Sequence, residues 1–166
     1  MAPGTQVRIL ARLLIKMQKR DLTTAIASIT ILTIIILFVS YFSLNNKIIG
    51  PVLVILGIIT LIPIIFFKIP LAALKGDIIF GLIDNGALAI FAITGAEFFG
   101  ILGAIVGGII GNAITDGLAG IFEGYEWQML KETKAKKERT ALTVSIGKLA
   151  GCLLGAGIVL TLIWTF

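Results

Sequence analysis

The chain carries nine acidic residues in 166, and two of them stand where acids are rare. Asp84 and Asp116 each interrupt a long apolar run. Asn85 follows Asp84. Asn112 lies one helical turn before Asp116, with Thr115 adjacent. Asp77 precedes Asp84 by seven residues, and Glu123 follows Asp116 by seven. That spacing is about two helical turns, so each pair falls on nearly one helix face. Carboxylates and side-chain amides are oxygen donors, which suit Mg²⁺, Mn²⁺, Ca²⁺ or Fe²⁺. The chain has no histidine and one cysteine, Cys152. This excludes a His-based catalytic triad, a Cys/His zinc site and an intrachain disulfide. The candidate metal ligands are therefore Asp84, Asp116, Asn85, Asn112, Glu123 and Glu126. The last two sit three residues apart on one face, where they would either collect cations or pair with nearby lysines as solvated charges.

These residues must be positioned by membrane-spanning elements. Hydrophobic residues make up 58% of the chain, charged residues 14%, and the mean hydropathy is +1.08. A soluble domain averages about 45–50% apolar and about 25% charged. Five apolar stretches, about 22–44, 48–67, 78–96, 98–122 and 141–166, are each long enough to cross a bilayer as a helix. Helices are expected because backbone polar groups in lipid must satisfy one another. The expected fold is an all-α polytopic membrane protein: an amphipathic interfacial helix over 1–20, then a five-helix transmembrane domain over 21–166. Arg8, Arg12, Lys16, Lys19 and Arg20 mark one side of the leading helix, and Val7, Leu10, Leu13, Leu14 and Met17 the other. Asp21 is placed to cap the first span. Pro63 predicts a kink or early stop in the second span. The polar stretch 124–140 connects the fourth and fifth spans.

Charge sets the expected orientation. Of 14 basic residues, only Lys47 and Lys148 lie outside the leading segment and the second-to-third and fourth-to-fifth connections. By the positive-inside tendency the N-terminus is cytoplasmic and the C-terminus outside. The basic surplus is then a matter of topology and anionic lipid, and no nucleic-acid partner is expected. With helices of opposite direction, Asp84 and Asp116 reach similar depth, each about 10 Å from the cytoplasmic end of its span. A carboxylate at such depth costs about 2.5–3.5 kcal/mol on insertion scales. Lys148 lies near the same level and would pair with Asp84 or Asp116, or snorkel to the interface. Glycines at 103, 107 and 111 and at 147, 151 and 155 form ridges for close helix packing. Most of the 19 glycines fall between Gly76 and Gly124. The third and fourth spans are thus expected at the centre, with the first two as a lipid-facing wall. The stretches beginning at Asp84 and Asp116 also resemble each other, as opposed repeats in transporters do.

The run Asp77-Ile78-Ile79-Phe80-Gly81-Leu82-Ile83-Asp84-Asn85-Gly86, followed by a glycine-rich helix and Gly120-Ile121-Phe122-Glu123-Gly124-Tyr125-Glu126, resembles the opening two helices of the vacuolar iron transporter family. The likeness covers residues 74–130. It implies a dimeric carrier of Fe²⁺ or Mn²⁺ exchanged for protons, with Asp84 at the family's intramembrane metal-binding aspartate.

Two functions follow as expectations. The first is transport of a divalent cation past the intramembrane carboxylates, by a carrier or channel that assembles as a homo-oligomer, a dimer being favoured. No cofactor is required beyond the transported ion. The second is a non-transporting membrane scaffold or sensor held together by glycine packing. An enzyme is not expected: the sequence offers no nucleophile–base pair and no phosphate-binding glycine loop.

Overall fold

The computed structural model describes residues 3–43, 48–66, 68–129 and 140–165, with side chains except at 3–21, 66, 120 and 122–129. Every regular element among them is helical. They are α1 (Pro3–Ser43), α2 (Ile49–Thr60), α3 (Ile62–Phe66), a 3-10 turn (Leu71–Ala73), α4 (Lys75–Met129) and α5 (Ala141–Thr165). Three stretches are long and apolar enough to cross a membrane: Leu22–Ser43, Lys75–Ala119 and Ala141–Thr165. A fourth, Ile49–Ile65, is apolar but shorter. The protein is membrane-embedded.

α1 differs from the expected arrangement. It runs unbroken for 41 residues, so no helix begins at position 21, where a cap was expected. The separation of an interfacial segment from a spanning one is absent from the backbone. The reason is local: between Pro3 and Ser43 the only glycine is Gly4 and no further proline occurs. Once nucleated, a helix propagates cheaply. At 1.5 Å per residue, α1 is about 60 Å long, roughly twice the hydrocarbon thickness.

Pro63 has the expected effect. α2 stops at Thr60, Leu61 bonds back to Ile58 at 3.0 Å, and α3 completes barely a turn and a half. Lys68, just beyond α3, has a left-handed φ of 52°. Its amide bonds to Ile65 O at 3.2 Å, and that of Ile69 to Ile64 O at 3.0 Å. This pair of bonds satisfies the last carbonyls of the helix. The chain then turns through Pro70 and Leu71–Ala73, and Leu74 is fully buried against Ile64, Ala73 and Ile146.

α4 is 55 residues long but not one rod. Gly100 has φ 61° and ψ −143°, outside the helical region. A side chain there would be strained, and only glycine adopts such angles freely. The break folds α4 into two antiparallel arms, 75–99 and 101–129. A Cβ on Gly95 would collide with the Gly103 carbonyl, one on Gly107 with the Phe91 carbonyl, and one on Gly111 would lie 3.1 Å from Phe91 Cβ. The first-arm number falls as the second rises, which is the signature of a helical hairpin.

α5 begins on a reciprocal cap. The Thr140 amide donates to Thr143 Oγ1 at 2.8 Å, and the Thr143 amide to Thr140 Oγ1 at 3.3 Å. α5 then lies against two neighbours. Gly147, Gly151 and Gly155 face Leu74 and Asp77, Ile78, and Leu82 in order, so α5 runs parallel to the first arm of α4. Gly157 meets Val54 and Gly50, while Gly57 meets Leu154, so α5 runs antiparallel to α2. Thr143, Ile146, Gly147, Ala150, Gly151, Leu153, Gly155 and Gly157 are buried. The centre of the bundle is therefore α5, not the third and fourth spans. The first-arm ridge of the hairpin is central only through its contact with α5. Among the described side chains, the second arm packs on the first and leaves Ile101, Leu102, Ile105, Ile109, Ile114 and Leu118 exposed.

Candidate intramembrane polar site

Asp84 faces inward from the first arm and is only 8% exposed. It sits where the second arm and α5 both approach the first. Thr115, itself buried, donates its hydroxyl to Asp84 Oδ1. The same hydroxyl oxygen lies 3.0 Å from Gly111 O and 3.0 Å from Asn112 O. Three acceptors thus surround one hydroxyl proton. A carboxylate is the strongest of them, because a bond to an ionised acceptor is charge-assisted.

Just below Asp84, the first arm and α5 come into backbone contact. A Cβ on Gly81 would lie 2.6 Å from Lys148 O and 2.8 Å from Cys152 N. This closeness brings the polar side chains of α5 to the first arm. Cys152 lies within electrostatic reach of Asn85, Asp84 and Lys148. Lys148 is half-buried, with Nζ 5.0 Å from the centroid of the Phe80 ring. An ammonium over an aromatic face is attracted by the ring quadrupole. Asp77 is 3% exposed, and its Cβ lies 2.9 Å from where a Gly147 Cβ would stand. Asp77, Lys148, Cys152, Asn85, Asp84 and Thr115 therefore form one polar seam between the first arm, α5 and the second arm. Among the described residues, no buried side-chain polar atom lacks a hydrogen-bond partner.

Asp116 has a different environment. It follows Thr115 by one residue, a rotation of about 100° around the helix. It is exposed on the outer side of the second arm. Its partner is Asn112 Nδ2, which donates to Asp116 Oδ2 at 2.8 Å. Asp84 and Asn85 thus belong to the interior seam, whereas Asp116 and Asn112 belong to the outer surface at a neighbouring level. Glu123 and Glu126 lie on the helical backbone of the second arm, but their side chains fall outside those described. Among the described residues, no three of the His, Cys, Asp and Glu side chains converge as a metal cluster would. Thr115 and Cys152 join the seam although neither was a candidate ligand. Thr115 had a signal in its position next to Asp116; Cys152 had none.

A concavity lies near the hairpin tip, between Phe91, Phe98, Phe99, Leu102, Val106 and Ile110. Its walls are almost wholly apolar and contain no titratable group, so it offers nothing to an ion.

Comparison with protein-family models, with curated proteins and with solved structures finds no match to this chain.

Proposed function

We propose that the protein moves a divalent cation of the Fe²⁺, Mn²⁺ or Mg²⁺ type across the membrane, with Asp84 as the primary ligand. The observation that carries this reading is a buried carboxylate, in a stretch long and apolar enough to cross a membrane, held by a threonine hydroxyl at the meeting of three helices. Intramembrane acids facing a bundle interior are rare, costly and typical of ion pathways. Asn85 supplies an amide oxygen on the same arm, and Thr115 Oγ1 a hydroxyl oxygen opposite. Asp116 with Asn112 forms a second oxygen group one residue outward, and Glu123 and Glu126 continue that arm towards the cytoplasm. The resemblance of residues 74–130 to the vacuolar iron transporter family favours the same ion class and exchange for protons. The hydrogen-bond set suits such exchange. When Asp84 is ionised, Thr115 donates to it; when Asp84 is protonated, it can donate to Thr115 while the hydroxyl turns to Gly111 O.

The transport reading includes five crossings with the N-terminus cytoplasmic. The antiparallel arms of α4, the parallel run of the first arm with α5 and the antiparallel run of α2 with α5 all support that alternation.

Purified protein in liposomes tests the proposal through Mn²⁺ uptake. Asp84→Asn is expected to abolish uptake, and Asp116→Asn to reduce it. Unchanged uptake in both variants would overturn the site. A second reading is a non-transporting scaffold, in which Lys148 neutralises the seam as a fixed charge. The closeness of Lys148 to the Asp84 environment favours it. Wild-type protein that folds in liposomes yet carries no Mn²⁺, Fe²⁺ or Mg²⁺ would decide for the scaffold.

A further inference from the structure

Asp77, Phe80 and Asp84 lie within about 60° of one another around the first arm, so they share a face. Both carboxylates are buried. The Phe80 ring between them carries the Lys148 ammonium, 5.0 Å from its centroid. α5 is pinned at this level, because Lys148 O and Cys152 N crowd the place where a Gly81 Cβ would stand. Along the seam the order of charge is therefore minus at Asp77, plus at Phe80 and minus at Asp84. Phe80 precedes Asp84 by four residues, about 6 Å along the axis.

Asp77, Asp84 and Lys148 together carry a formal charge of minus one. With the two carboxylates alone, one divalent ion would neutralise the seam and have little cause to leave. With the ammonium present, the same ion brings the seam to plus one, and net charge in apolar surroundings is costly. At about 6 Å and an effective dielectric of about 20, repulsion between an ammonium and a divalent ion is worth well over tenfold in binding. An ion pathway needs binding favourable enough to admit the ion and weak enough to let it go. Lysine is suited to that task. Its charge rides on a flexible four-carbon stem, and an aromatic face attracts it without the directional demands of a hydrogen bond.

We propose that Lys148 is the release element for a divalent ion at Asp84. Its ammonium, seated on Phe80, weakens the hold of the carboxylate on the ion and swings to Asp84 as the ion leaves. The proposal rests on the transport reading and adds to it a residue that binds no metal itself. An ammonium has three donors and no acceptor. Lys148 can therefore replace the ion as the partner of Asp84 but cannot ligate it. No bond is made or broken in the exchange, and Lys148 keeps its proton throughout. A lysine that only supported the fold would leave ion affinity unchanged or, once removed, lower it.

The test uses the full chain and Mn²⁺ alone, with binding measured in detergent and uptake in liposomes. Lys148→Met keeps an apolar stem and removes the charge. It should bind Mn²⁺ at least about tenfold more tightly and, at saturation, carry it more slowly than the wild type. Phe80→Leu keeps the charge and removes its seat, so the ammonium competes more freely at Asp84. Mn²⁺ binding should then weaken by about threefold. The opposite signs separate release from folding, since a variant that merely loosens the bundle weakens binding in both cases. Thermal unfolding establishes that each variant is folded, and if Lys148→Met does not fold, Phe80→Leu decides alone. Unchanged or weaker Mn²⁺ binding by folded Lys148→Met, or unchanged or tighter binding by Phe80→Leu, would overturn the proposal. Wild-type protein that neither binds nor carries Mn²⁺ would instead overturn the transport reading beneath it.

Discussion

A threonine hydroxyl has one proton, and Thr115 has three acceptors around it. Valine has nearly the same shape but no hydroxyl. Thr115→Val should therefore leave the buried Asp84 without its donor and cost about 1–3 kcal/mol, measured as a lower denaturation midpoint in detergent. Thr115→Ser should recover most of that loss. A variant as stable as the wild type would mean that the hydroxyl is not what holds the carboxylate. The same residue shows how much of the site was legible beforehand. The sequence marks Asp84 and Asp116 as equals, two acids at similar depth with amides beside them. Yet Thr115 and Asp116 are neighbours, and one step around the helix separates a buried side chain from an exposed one. Helical spacing tells which residues share a face, but not which face has a partner on it.

At the scale of elements, the glycines divide by what lies opposite them. Gly151 faces the Ile78 backbone, which cannot move aside as a flexible side chain could. Gly86 looks onto Gly155 and Val159 at 3.8–3.9 Å, an ordinary contact distance. Gly151→Ala should push α5 off the first arm and destabilise by about 1–3 kcal/mol. Gly86→Ala should be neutral or stabilising by up to about 1 kcal/mol through helix propensity. Thermal unfolding of the two variants in one detergent compares them directly, and equal behaviour would contradict the packing. The glycine periodicity at 147, 151 and 155 was visible in the sequence, and so was the break at Pro63. The position of α5 at the centre was not. Glycine density pointed to the third and fourth spans, whereas burial depends on having neighbours on two sides, which α5 has and the second arm lacks. The unbroken α1 was also missed, because a change from basic to apolar residues alters what surrounds a helix without stopping it.

For the whole molecule, the testable matter is how often the chain crosses. Glu97 stands at the hairpin tip and Thr140 at the start of α5, and both are exposed. With Cys152 replaced by alanine, a membrane-impermeant maleimide should label Glu97→Cys from outside and Thr140→Cys only from the cytoplasmic side. Labelling of both from one side would mean that the arms of α4 do not each cross. The sequence by itself determined that the chain lives in a membrane, since its apolar stretches are too long and too many for a soluble core. It also placed the basic residues in the segments from which an orientation is expected, and left oxygen, with methionine sulfur at most, as the expected donors of a metal site. Only the tertiary structure decided that Asp84 looks in and Asp116 out, and that α5 is the axis of the bundle. The physical reason is that lipid and protein interior are equally apolar. In water a helix declares its buried face by its hydrophobic stripe; in a bilayer both faces read alike, and the inside is known only when a second helix lies against it.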